Sequence, residues 1–116
     1  MGAYEWQYLG IDDGSINENM LSFYTSPNPF KGGTTIVLSL KDLQSNDKLR
    51  VSIYNIRGQL VREFNEDNSD IAPYTEIYWD GRDEQGRAVA AGAYFYKLTF
   101  CEKEIVKKMI RLGNDP

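Results

Sequence analysis

Apolar side chains recur at every second position in stretch after stretch of this chain. Ile36, Leu38 and Leu40 do so, then Leu49, Val51 and Ile53, then Ile77 and Trp79, then Tyr94, Tyr96, Leu98 and Phe100. A helix presents one face every 3.6 residues or so, whereas a strand presents one every second residue. Between these stretches stand turn formers: Pro27-Asn28-Pro29, Gly32-Gly33, Asn55 to Gln59 around Gly58, and the glycines at 81, 86 and 92. The pattern predicts seven strands, over Leu21–Tyr24, Thr34–Leu40, Leu49–Ile56, Leu60–Phe64, Thr75–Trp79, Gly92–Phe100 and Glu104–Leu112. Asn65 to Asp70 is expected as a polar loop, Asp42 to Lys48 as one helical turn at most, and Cys101-Glu102-Lys103 as a turn.

Evenly spaced short strands of this kind build an all-β fold, a seven-stranded antiparallel β-sandwich with immunoglobulin-like or fibronectin-III-like architecture. The Cys…Trp…Cys pattern of antibody domains is absent. The expected core is Ile36, Leu38, Leu40, Val51, Ile53, Ile77, Trp79, Tyr94, Tyr96 and Leu98. A chain of 116 residues suffices for one such domain. Residues 20–113 are assigned to it, with 114–116 as a terminal extension. Residues 10–19 are polar and read as a linker; residues 1–9, with Tyr4, Trp6 and Tyr8, read as the tail of a preceding domain.

Composition removes several chemistries. Histidine is absent, so Ser-His-Asp and Cys-His catalysis and histidine-based zinc sites are excluded within the chain. Cys101 is the only cysteine, so no disulfide forms within the chain; it is expected as a strand-end thiol without a role. A net charge of −4 argues against nucleic acid as a partner. No stretch approaches the roughly 20 apolar residues of a membrane-spanning helix, and the start lacks the basic and apolar regions of a signal peptide. The protein is therefore expected to be cytosolic or part of a larger precursor.

The stretch Asp80-Gly81-Arg82-Asp83-Glu84-Gln85-Gly86 gathers carboxylates. An EF-hand loop from Asp80 would place Arg82 at its third position and Gln85 at its sixth, where an oxygen ligand and a glycine belong. A looser calcium site keeps Asp80 and Asp83 as candidates. Asp80 and Asp83 as a glycosidase pair are set aside because so small a sandwich offers little cleft. The favoured reading is a loop scaffold of successive turns at Asp80-Gly81, Gln85-Gly86 and Ala91-Gly92, with Val89 dipping into the core. No cofactor is expected. Lys31-Gly32-Gly33-Thr34-Thr35 reverses the order of a phosphate loop. Lys103, Lys107, Lys108 and Arg111 read as a solvated edge strand whose charges deter aggregation, or as an address read by a partner.

In order along the chain stand Ser26-Pro27-Asn28-Pro29-Phe30, Thr34-Thr35-Ile36, Val51 to Gln59, Trp79-Asp80-Gly81-Arg82-Asp83, Gly92 to Leu98, and Lys107-Lys108-Met109-Ile110. Over about residues 20–112 this series resembles the C-terminal sorting domain (type A) of the type IX secretion system, which is related in fold to the immunoglobulin-like domain of flagellar hook-capping proteins. The resemblance implies a non-catalytic signal that directs a cargo protein through the periplasm and the outer-membrane translocon to a secreted or cell-surface location. It implies as partners the translocon, a sortase-like peptidase and the upstream cargo domain, and cleavage within Gly10 to Asn19. It carries recognition by the translocon onto Pro27, Asn28, Pro29, Gly92, Tyr94, Lys108, Met109 and Ile110. Gly2-Ala3-Tyr4-Glu5-Trp6 also resembles the closing segment of secreted parallel β-helix proteins. Gly113-Asn114-Asp115-Pro116 departs from the sorting-domain pattern by extending past its apolar finish. The alternatives are a binding or spacer module for carbohydrate or adhesion and a hook-capping fragment, with an isolated enzyme last.

Overall fold

The computed structural model describes residues 20–40, 48–67, 74–100 and 103–113. The side chains of Met20, Leu21, Leu40 and Asp67 lie outside that description, as do the expected linker, preceding tail, helical turn, terminal extension and Cys101. The strands are β1 (Met20–Ser26), β2 (Phe30–Lys31), β3 (Thr34–Leu40), β4 (Lys48–Tyr54), β5 (Leu60–Asp67), β6 (Tyr74–Trp79), β7 (Gly92–Phe100) and β8 (Lys103–Gly113). They form a three-stranded sheet in the order β1-β3-β6 and a five-stranded sheet in the order β2-β8-β7-β4-β5. This is an immunoglobulin-like β-sandwich. The strands read from the sequence are all present. The addition is β2, two residues long, which runs parallel to β8 while every other pair is antiparallel.

Between the sheets lie Phe23, Ile36, Leu38, Ile77 and Trp79 from the smaller one. Facing them are Phe30, Leu49, Val51, Ile53, Tyr94, Tyr96, Leu98, Phe100, Ile105 and Met109 from the larger. Every described member of the expected core is buried, and Val89 packs against it from the loop. Aromatic rings bridge the layers. Phe23 meets Tyr96 at 5.0 Å, and Trp79 takes Phe30 and Tyr94 edge-on at 5.9 and 5.7 Å. Burial pushes the Tyr96 phenol up to about 12.

Two expectations are corrected. Residues 65–67, read as loop, continue β5, because Asn65, Glu66 and Asp67 pair in register with Arg50, Leu49 and Lys48. Ladder pairing here outweighs the weak strand preference of Asn, Glu and Asp. The second correction concerns the basic residues of β8, which do not all line a solvated edge. Only Lys103 and Lys108 are exposed; Lys107 is half-buried and Arg111 is 3% exposed. Ile105, Lys107, Met109 and Arg111 face the opposite sheet, so the inner face of this strand alternates alkyl and cationic groups. Lys107 Nζ donates to the Phe23 carbonyl of β1, and burial lowers its pKa.

Candidate functional site

The short crossing from β1 to β2 is Pro27-Asn28-Pro29, with both X-Pro bonds cis. Proline has no N–H, so Asn28 supplies the segment's one backbone donor. Its side chain does the reaching. Asn28 Oδ1 accepts the Ile110 N–H at 3.0 Å, and Asn28 Nδ2 donates to the Lys108 carbonyl at 3.3 Å. A carboxamide carries one acceptor and a donor group at peptide-like spacing, so it stands in for a neighbouring strand along one step of β8. Thr34 Oγ1 holds the other side of the crossing by donating to the Pro27 carbonyl at 2.6 Å. Directly afterwards β2 takes over the pairing of β8: Phe30 sits opposite Arg111, and Gly32 N–H donates to the Gly113 carbonyl at 3.1 Å.

Behind this edge lies Arg111. Its Nε donates to the Gly32 carbonyl at 3.1 Å and its guanidinium to the Val89 carbonyl at 2.7 Å. The arginine thus ties the β2–β3 turn to the loop between β6 and β7. Gly81 completes the junction with φ of +78°: a Cβ there would stand 2.2 Å from the Gly32 carbonyl oxygen and 2.8 Å from Arg111 Nε. Only glycine fits that approach. Tyr94, one strand inward and opposite Met109, donates from its hydroxyl to the Ala90 carbonyl at 2.6 Å. Burial raises its phenol pKa.

The acidic stretch is built differently. Asp80 Oδ1 accepts the Arg82 N–H at 3.0 Å and pairs with Arg62 at 3.1 Å. Asp83 Oδ1 accepts the amides of Gln85 and Arg87, each at 2.9 Å. The bond from the Arg87 amide is the largest cause holding the Asp83 carboxyl below the usual aspartate range. Gly86 turns with φ of +84°, and Trp79 Nε1 donates to the Arg82 carbonyl at 2.9 Å. Each calcium candidate therefore has its Oδ1 engaged by amides of the loop, and Asp80 also by Arg62 of β5. Among the described residues no group of three His, Cys, Asp or Glu is arranged to hold a metal ion.

The residues carried over for recognition fall into one neighbourhood. Asn28 joins Lys108 and Ile110, Tyr94 lies opposite Met109, and Gly92 lies opposite Arg111. Within it they divide by exposure. Pro27, Asn28, Pro29, Gly92 and Lys108 are exposed and Ile110 is half-buried. Tyr94 and Met109 are core residues at 5% and 0% exposure, so they shape the surface from beneath. Sequence reading missed Arg111 as the hub. The available signal was its position two residues beyond Met109 on the inward face of β8.

The profile of the FlgD Ig-like domain matches residues 25–102, more than half of the chain, so the chain belongs to that family. No curated protein matches it. Among solved structures it is similar to the dimeric latent PorU of Porphyromonas gingivalis, with 24% identity over 79% of this chain and a TM-score of 0.64. It is also similar to PorZ of the same organism, described as an essential bacterial surface component of the type-IX secretion system, with 21% identity over 88% of this chain and a TM-score of 0.55. The chain spans 9% and 12% of those two proteins, and at these identities the likeness is one of fold.

Proposed function

We propose that this FlgD Ig-like domain is a non-catalytic sorting domain of type A, which directs a cargo protein through the outer-membrane translocon of the type IX secretion system to the cell surface. The observation that supports the reading most is the Asn28 carboxamide on the Lys108–Ile110 step of β8. It joins the Pro-Asn-Pro element to the terminal Lys-Met-Ile element across 82 positions at its longer reach. A signal read in folded form needs its parts fixed together, and this bond fixes them. The exposed contact surface is Pro27, Asn28, Pro29, Gly92, Lys108 and the edge of Ile110, with Tyr94 and Met109 as its support. The fold likeness to PorZ accords with this setting. In this reading a sortase-like peptidase cuts within residues 10–19, and the domain itself binds no cofactor.

The test is surface display of a passenger protein fused ahead of the full chain, in a bacterium with this secretion system. Deleting residues 108–116 is expected to retain the passenger inside the outer membrane. Lys108→Glu, at an exposed position, is expected to do the same with the fold intact. Undiminished display in both contradicts the proposal.

A second reading, a carbohydrate-binding module, is favoured by the outer face of the smaller sheet. There Tyr24, Tyr74 and Tyr78 stand 45%, 55% and 63% exposed, Tyr74 and Tyr78 on either side of Glu76 in β6 and Tyr24 on β1 across β3. Aromatic faces of this kind stack on sugar rings. Saturable binding of a soluble polysaccharide that is lost in Tyr74→Ala and Tyr78→Ala would establish that reading instead.

A further inference from the structure

The outer edge of β8 divides into a closed half and an open half. Ile110 N–H and Lys108 C=O point out of the sheet, since Asn28 takes both. Backbone groups of alternate residues point the same way along a strand. Val106 and Glu104 therefore also present their N–H and C=O outward. Among the described residues only β7 and β2 are laddered to β8, and β2 pairs at Arg111 and Gly113. The outward backbone groups from Glu104 to the Lys108 N–H are thus unladdered among the described residues and form a template for another strand.

The side chains along that template are complementary to themselves. In an antiparallel pair of two copies centred on Val106, Val106 faces Val106, and Glu104 of each copy faces Lys108 of the other. Glu104 and Lys108 are exposed, and Val106 between them is half-buried, on the same outward face. Directly opposed unlike charges stabilise a strand pair, and like charges oppose it. The opposite face of the strand does not interfere, because Lys107 is turned inward to the Phe23 carbonyl. Any other register loses one of these matches. One residue of slip turns Val106 against a lysine or isoleucine of the opposite face, and two residues of slip set Glu104 against Val106.

We propose that two copies of this chain associate through β8, antiparallel and centred on Val106, with Glu104 and Lys108 as the key that sets the register. The association joins the two five-stranded sheets into one continuous sheet. Asn28 limits it at the far end by occupying the next step of the edge. The inference stands on the edge geometry and not on the sorting reading, and its test uses the purified chain without any secretion machinery.

The test is sedimentation equilibrium of the full 116-residue chain, from about 10 μM to 1 mM, because so short an edge makes a weak interface. A monomer–dimer equilibrium is expected. Glu104→Lys and Lys108→Glu are each expected to weaken it about tenfold by opposing like charges. The double variant Glu104→Lys/Lys108→Glu is expected to return it to within about threefold of the parent. Within one copy these two side chains lie four residues apart on a strand, about 13 Å, so restoration reports contact between copies. Glu104 also pairs with Lys97 at 3.7 Å, and Lys at position 104 breaks this ion pair alike in the single and the double variant. Val106→Pro removes an outward N–H at an edge position where proline is tolerated and is expected to abolish dimers while circular dichroism stays that of the parent. If that variant fails to fold, the charge exchange alone decides. A monomer at every concentration, a dimer indifferent to Val106→Pro, or no rescue in the double variant would each overturn the proposal.

Discussion

Two regions of this molecule carry candidate chemistry, and their carboxylate and carboxamide side chains bond over different ranges. The acidic loop from Asp80 to Arg87 takes its shape from aspartates that accept amides two to four residues away, and it is tied to β5 by Arg62 on Asp80 and the Arg82 carbonyl, by the Glu63 amide on Glu84, and by the Glu84 amide on the Val61 carbonyl. Asn28 of the Pro27-Asn28-Pro29 crossing and Arg111 close on partners 22 to 82 residues away. Local bonds give a loop its shape. Long-range bonds fasten the outer edge of the last strand, whose other edge β7 ladders from Gly92–Arg111 to Phe100–Lys103. Substituting an aspartate of the first region should therefore cost less than substituting Arg111 or Gly81, whose backbone packs against Arg111, even though the first region holds more charge.

Arg111→Ala strikes this contrast hardest. It leaves the Gly32 and Val89 carbonyls without the guanidinium and opens a gap behind β2, for an expected loss of about 3–4 kcal/mol in urea unfolding. Gly81→Ala comes next. Its Cβ meets a backbone oxygen and its φ disfavours any side chain, so a loss of about 2–3 kcal/mol is expected, read by the same measurement. Gly86, also at positive φ but with open space around it, should tolerate alanine better. Asn28→Ala removes two bonds at an exposed edge and is expected to cost about 1 kcal/mol, with the effect concentrated in β8.

The smallest effect belongs to Asp83→Asn, which keeps an oxygen to accept the Gln85 and Arg87 amides. Its use lies in pH. The folded carboxyl titrates below its unfolded value of 3.8. The stability it contributes is therefore present above that value and lost as pH falls through the lower, folded one. Acid titration of the unfolding midpoint should show a shallower fall for the asparagine variant than for the parent. An equal fall would mean that Asp83 is not held by these amides.

Much of the fold was legible because alternation is a direct image of a two-sided sheet. Tyr94, Tyr96, Leu98 and Phe100 announce their face without knowledge of any partner. Strand β8 was less legible for a physical reason. Its inward positions carry Lys107 and Arg111, which reach across to carbonyls of other elements, and a pattern of hydrophobicity alone turns such residues outward. The role of Asn28 was hidden in the same way. A residue between two prolines reads as a turn former, and nothing local says that its carboxamide will replace a strand beside Ile110. The turns of the acidic loop were legible, because its aspartates bond to amides two to four residues away, whereas its ties to Val61, Arg62 and Glu63 of β5 were not.

If Asn28 latches the terminal strand, native-state hydrogen exchange at the Ile110 amide reads the latch itself. In the parent chain this amide should be protected, and in Asn28→Ala it should exchange much faster, while the Arg87 amide held by Asp83 keeps its rate in both. An Ile110 amide that exchanges freely in the parent, or at the same rate in both proteins, would contradict the latch.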